Sequence, residues 1–428
     1  MPFEFAPVAP LKIAVVGAGI SGMGAAYLLS RVHRVTLFED QPRLGGHART
    51  VIAGKNGDQP VDTGFVVFNY PNYPRLTEMF KNLNVPIAKS DMSFGVSAGG
   101  GKVEYALTSL ASLFAQKRNI VNPNFLRMLV DILRWNAKAV ETATDPSMTL
   151  GELMKELNLG KWFQHYYLLP FSGAIWSTPL DRMMSFPAQA LTRFFQNHHL
   201  LNIYGQHQWY TIDGGSIEYV RRMTDAMAEQ GCDIRPSAPV MSVRRDNAGV
   251  EVRPKGGGWE RFDRVVFGCH PDDALAMLEH PSADERALLH AIKYQPNRVV
   301  LHRDASVMPS RKSCWGSWTY TVQDQKMEEP VGITYWMNSL QPIPHDDLIL
   351  ESLNPKTPIR EELTFEETSF RHPVFDHAAL EAQTKIRAMQ GTNNTWFCGA
   401  YMRNGFHEDG YSSAYDVAID MGMARQWA

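Results

Sequence analysis

The stretch Gly17-Ala18-Gly19-Ile20-Ser21-Gly22 constrains this chain more than any other, because it follows an apolar run at 11–16 and opens a helical run at 23–29. Glycines at this spacing between a strand and a helix suit a dinucleotide-binding turn. Gly17 permits the tight turn, Gly19 lets the backbone approach a pyrophosphate, and Gly22 lets helix and strand pack closely. The helix N-terminus then offers unpaired N–H groups to phosphate, with Ser21 in the same turn. A second apolar run at 34–39 ends on Glu39, with Asp40 beside it, and completes a βαβ unit of about 30 residues. Parallel pairing with a right-handed crossover follows. The Glu39 carboxylate sits where ribose hydroxyls can donate to it, and it would repel a 2′-phosphate. FAD or NAD is the expected ligand.

Composition narrows the class. The chain has 428 residues, 44% hydrophobic and 20% charged, enough for two domains with real cores. A formal net charge of −3 supplies no electrostatic footprint for nucleic acid. Cys232, Cys269, Cys314 and Cys398 are scattered singly, so neither a C-x-x-C metal pair nor a disulfide framework is expected. The first ten residues show no basic region followed by an apolar stretch, and no window reaches about 18 consecutive apolar residues. A cytoplasmic protein is expected, with peripheral contact at the inner membrane surface left open. The oligomeric state is not legible.

Further along, 107–140 has helical spacing, and Phe125, Leu126, Leu129, Val130 and Leu133 are expected to pack inward while Arg127, Asp131 and Arg134 face out. Strands are expected at 240–252, 264–267, 298–302, 332–337 and 348–353, punctuated by turns at 246–249 and 255–258. No repeat or linker stands out, so the two domains should interleave.

Arg43-Leu44-Gly45-Gly46-His47-Ala48-Arg49-Thr50 carries the reading further, for here the sequence resembles the flavin-containing amine oxidase and phytoene desaturase superfamily. Downstream segments recur in that family's order. Val61-Asp62-Thr63-Gly64-Phe65 resembles the strand that passes the flavin, Gly214-Gly215-Ser216 the second glycine turn, and Val240 the valine whose backbone holds adenine. Gly399-Ala400 and Asp409-Gly410-Tyr411 resemble the closing helix start, whose backbone faces the flavin pyrimidine. The resemblance implies non-covalent FAD held by these segments together with Arg43, Gly45, Gly46 and His47. It also implies an α/β fold in which a Rossmann-type FAD-binding domain (1–90, 205–290 and 390–428) interleaves with an α+β substrate-binding domain (91–204 and 291–389).

Departures from the pattern bear on chemistry. His47 replaces a second arginine, and Ala400 stands where an acid is frequent. His407 falls near an aromatic cage position of the amine-oxidising members, and His302 near their flavin-facing lysine. These two, with Glu408, are the candidate catalytic residues: His407 as general base, Glu408 orienting it. Aromatic segments between Trp162 and Trp336, including Trp176, suit an apolar substrate wall. The whole chain is most similar to a bacterial subgroup that extends to the flavin desaturase of furan fatty acid synthesis. That resemblance implies a methyl-branched, unsaturated fatty acyl chain of a phospholipid as substrate. The 107–140 region, with Lys117, Arg118, Arg127, Arg134 and Lys138, could then touch a membrane surface. An amine oxidase and a non-catalytic flavin-binding scaffold are the other readings.

Overall fold

The computed structural model describes residues 9–176, 183–202, 205–246, 248–322 and 332–423. Residues 1–8, Asn247 and the side chain of Trp176 lie outside the described set.

Strand Lys12–Val16 is central in a parallel five-stranded sheet, paired on one side with Arg34–Phe38 and on the other with Arg264–Phe267. Asp233–Arg235 and Thr395–Phe397 complete the edges, so widely separated segments build one sheet. Both faces are covered, which is why Ile13, Ala14, Val15, Val265, Val266 and Phe267 are all fully buried. Helix Ile20–Leu29 is buried at all ten positions. It packs against the last long helix, His407–Asp420, so closely that a Cβ at Gly24 would lie 2.8 Å from the Tyr411 ring.

The second body is a seven-stranded mixed sheet in the order 364–374, 293–302, 350–353, 333–336, 318–322, 94–98, 103–106. Its strands 333–336 and 350–353 lie where the apolar runs predict them. The long strand Thr364–Val374 and the hairpin 94–106 are additions, because polar residues interrupt the alternation there. Behind this sheet, helices Pro123–Thr142, Leu150–Glu156 and Ala188–Asn197 enclose a core around Phe125, Trp135, Phe163 and Phe195.

Helix Pro123–Thr142 corrects the expected facing. Phe125, Met128, Asp131, Trp135 and Ala139 are its buried residues, while Leu126, Val130 and Leu133 are exposed. The larger aromatic and sulfur side chains win the core because they bury more apolar area. Asp131 can be buried because Arg127 Nε, Arg134 Nη1 and the Gly160 backbone N–H all donate to it, at 2.9, 3.1 and 2.9 Å.

Candidate functional site

Four segments converge on the glycine turn. Gly45 N–H donates to Ala18 O at 2.8 Å, and a Cβ on Gly46 would lie 2.9 Å from Gly19 Cα, so the second glycine pair rides directly on the first. Phe65 N–H donates to His47 O at 3.1 Å and Thr63 N–H to Arg49 O at 2.9 Å, which lays 63–65 along 47–49. A Cβ on Gly64 would overlap the His47 carbonyl, so no side chain fits there. From the far end of the chain, Gly410 approaches until a Cβ there would meet Ile20 Cγ2 at 2.8 Å and Ser21 Oγ at 2.9 Å. Gly399 N–H is fixed by Ser413 Oγ at 2.8 Å.

The turn fits a bound dinucleotide on two observations. Gly19 has φ −74°, open to any residue, and the nearest heavy atom to a Cβ there is Gly46 Cα at 4.0 Å. Nothing in the chain itself demands a glycine, whereas a pyrophosphate against the backbone does. Helix Ile20–Leu29 also begins with no side-chain cap, leaving its first N–H groups to a ligand. Glu39 stands alongside, its carboxylate accepting Ala18 N–H at 2.6 Å and Gln41 N–H at 2.9 Å. Burial, then Asp40, pushes its carboxyl up to about 7. Asp40 itself is exposed. Val240 lies on the strand entered through Ala238, whose N–H donates to Glu39 O at 2.7 Å, so the adenine-type segment sits beside the ribose-type carboxylate. Arg43 donates to Ala48 O at 3.4 Å, and burial followed by Arg49 lowers its pKa. His47 Nε2 lies 3.1 Å from Arg371 O, and burial pushes its pKa down to about 4.

His407 is half-buried at the start of helix His407–Asp420. Its ring stacks on Phe65 with centroids 3.9 Å apart and planes 8° from parallel, and its Nε2 lies 2.9 Å from Tyr219 Oη. Burial, and after it His47, pushes the imidazole down to about 3. It is therefore neutral across the working range, not poised near 6.5 as the unperturbed side chain would be.

Other expected roles are corrected by what the side chains touch. Glu408 turns away from His407. Its carboxylate accepts Leu76 N–H at 2.9 Å, Arg75 N–H at 3.3 Å and Ser412 Oγ at 2.9 Å, capping the helix Pro74–Asn82. His302 is fully buried in the sheet, with Nε2 2.9 Å from Ser352 Oγ and Nδ1 accepting Asp304 N–H at 3.0 Å. Both ring nitrogens are engaged, so it has no lone pair to offer. Asp409 spends its carboxylate on the N–H groups of Asn404 and Phe406, and the Tyr411 ring packs at Gly24. Glu408→Ala is accordingly expected to lower unfolding free energy by about 1–2 kcal/mol through loss of the cap. Urea unfolding checks this, and flavin reduction should change little.

The aromatic segments do not form one wall. Phe163, Tyr167, Phe186, Phe194 and Phe195 lie in the helical core, Trp209 in the nucleotide-domain core, and Trp315 and Trp336 in a small separate cluster. Trp318 and Tyr335, with centroids 5.1 Å apart, face the cluster containing Val61 and Leu301, against which Val66 and Val67 also pack.

Two residues escaped the sequence reading. Tyr219 lies one turn after the second glycine pair, which was the available signal. Glu351 sits in register between Leu301 and Tyr335 and is only 4% exposed, and its Oε2 has no hydrogen-bond partner among the described residues. An acid inside the apolar run 348–353 was its signal. Burial, then Asp62, pushes its carboxyl up to about 8 while Arg49 opposes this. Because the folded pKa is raised, the folded state holds the proton more tightly, and stability falls as pH rises from about 4.5 to about 8. Glu351→Gln should flatten that decline, with a gain in Tm over the parent that grows from pH 5 to pH 8. A constant offset would contradict the burial.

The sequence profile of the flavin-containing amine oxidoreductases matches residues 20–310. The chain belongs to this family. An L-amino-acid oxidase from Gloydius blomhoffii is 47% identical over 49 residues, a match that spans 11% of this chain and 10% of that protein. Among solved structures, a CLA-producing fatty acid isomerase from P. acnes superposes with a TM-score of 0.69 at 14% identity, over 98% of this chain and 100% of that one. Cyclohexylamine oxidase from Brevibacterium oxydans gives 0.66 at 14% identity, over 97% and 100%. Reduced UDP-galactopyranose mutase gives 0.69 at 14%, over 97% of each chain. At this identity the shared property is the fold. As a member of the flavin-containing family, this FAD-dependent oxidoreductase has its nucleotide turn and its Phe65–His407 stack brought together by segments from both ends of the chain. No helix among the described residues is long and apolar enough to cross a membrane.

Proposed function

We propose that this flavin-dependent oxidoreductase desaturates an apolar substrate, an unsaturated and methyl-branched fatty acyl chain of a phospholipid, as in furan fatty acid synthesis. The observation that carries this reading over amine oxidation is the Phe65–His407 stack. Amine oxidation asks for two aromatic rings facing one another across a substrate, and here the imidazole at the cage position has one face covered by Phe65, at 3.9 Å between centroids. A fatty acid isomerase that shares this fold agrees with an acyl ligand.

Gly17, Gly19, Gly22, Gly45, Gly46 and the uncapped helix start would hold the pyrophosphate, Glu39 a ribose, Val240 the adenine, and Thr63, Gly64, Phe65, Gly399 and Gly410 the ring system. When bound, the flavin supplies a two-electron acceptor for a hydride. As hydride leaves an allylic carbon, positive charge builds up along the allyl system and the neighbouring C–H gives up its proton in the same step, forming the diene, so the proton acceptor bears on the rate of flavin reduction. With Nε2–H donating to Tyr219 Oη, the lone pair of His407 Nδ1 takes that proton. A weak base suffices because the developing cation is strongly acidic, and an imidazole that is never protonated near neutrality is always ready. Phe65 holds the ring plane.

The test is anaerobic bleaching of the bound flavin. Bleaching with vesicles of unsaturated phosphatidylcholine, and not with an amine panel, is expected. Bleaching by amines alone would establish amine oxidation, and bleaching by neither would leave a flavin-binding scaffold.

A further inference from the structure

Exposed aliphatic side chains concentrate on one stretch of the second body. Leu110 and Val121 are 77% and 79% exposed, Val130 and Leu133 are 50% and 52%, and Ile120 and Leu126 join them. They are carried by the short helix Leu110–Leu113, the turn Lys117–Val121 and helix Pro123–Thr142. Phe114 packs edge-on against Phe125 with centroids 6.0 Å apart, which ties the first of these to the last. Leu126, Val130 and Leu133, at i, i+4 and i+7, form one stripe along the outer side of the helix. An ordinary packing helix would bury that stripe; this one buries the opposite side.

Charge beside the apolar stripe is predominantly positive. Between 107 and 138 the cations are Lys117, Arg118, Arg127, Arg134 and Lys138, and the sole acid is Asp131, which is fully buried. Arg118 donates to the Lys102 carbonyl, which sets Lys102, itself exposed, beside this stretch. Apolar side chains rimmed by cations complement the surface of an anionic bilayer, and the exposed Glu141 sits in the last turn of helix Pro123–Thr142, beyond the end of the apolar stripe at Leu133. A second copy of the chain fits poorly, because a two-fold contact would set these cations against their own copies.

We propose that this face docks the protein on an anionic lipid surface, Leu110, Val121, Leu126, Val130 and Leu133 entering the headgroup boundary and Lys102, Lys117 and Arg118 meeting lipid phosphates. Docking stands on the surface alone and is read without turnover, so its failure is distinct from failure of the acyl-chain reading.

The experiment is flotation of the FAD-loaded protein with vesicles of phosphatidylcholine, with or without phosphatidylglycerol at three parts in ten. Co-flotation with the anionic vesicles, much weaker with the neutral ones, is expected. Lys117→Glu should weaken anionic binding by roughly fivefold or more, since each cation near such a surface contributes about that factor. Leu110→Asp/Val121→Asp should reduce binding to background while leaving circular dichroism and flavin absorbance unchanged, as both side chains are solvated in the free protein. Absence of flotation with anionic vesicles would overturn the proposal. So would flotation that survives the double variant, or a concentration-dependent dimer in sedimentation that the double variant abolishes without any vesicle binding by the parent.

Discussion

Gly19→Val is expected to purify as a folded, colourless protein, whereas Gly22→Ala is expected not to fold. The two glycines share a motif and differ in what surrounds them. A Cβ on Gly22 would overlap the Gly17 carbonyl oxygen, and Gly268 packs against its Cα so tightly that a Cβ from that side would approach to 2.5 Å. Neither neighbour is a flexible side-chain end, so the helix must leave the sheet, at a cost above about 4 kcal/mol. Around Gly19 the chain leaves room, with Gly46 Cα at 4.0 Å and an ordinary φ of −74°. A bound pyrophosphate is what a side chain there is expected to meet. FAD affinity should fall at least roughly a hundredfold, the counterpart of overpacking by about 3 kcal/mol. Thermal unfolding of the apoprotein should stay within a few degrees of the parent. Stoichiometric FAD on purified Gly19→Val would place the cofactor elsewhere.

His407→Ala should keep FAD and slow substrate-dependent flavin reduction by roughly 10²-fold, the usual worth of a positioned proton acceptor. The pH profile tests the protonation state in which the imidazole works. An imidazole at its unperturbed value would be lost to protonation as pH falls through about 6.5. With burial and His47 holding it near 3, the parent's reduction rate should show no acid limb from this residue between pH 5 and pH 8. Tyr219→Phe should slow reduction by less, since it frees Nε2 and loosens the ring without removing the acceptor. Rapid mixing under anaerobic conditions measures all three. A His407→Ala rate within a few-fold of the parent would reduce His407 to a partner for the Phe65 ring.

Much of the candidate nucleotide site was legible because it is local. Gly17, Gly19 and Gly22 act on backbone atoms a few residues away, and Glu39 caps the strand next door, so spacing in the chain is spacing in space. The candidate chemistry was less legible, for the partners come from afar. Phe65, Tyr219 and His407 are separated by most of the chain, and only packing decided that Tyr219 meets Nε2 and that Glu408 leaves to cap Pro74–Asn82. His302 is a candidate by its place near the family's flavin-facing lysine, but in the fold Ser352 and Asp304 engage both of its nitrogens.

The sequence by itself determined the strand–glycine–helix unit, the acid that closes it and the family whose segments follow in order, because those depend on backbone conformation at short range. Tertiary structure alone decided which side of Pro123–Thr142 is buried, that Glu351 is enclosed without a partner for Oε2, and that His407 is held neutral. Each of those depends on desolvation and on side chains distant in the chain. Periodicity can place an apolar stripe on a helix, but it cannot say which neighbour, if any, will cover it.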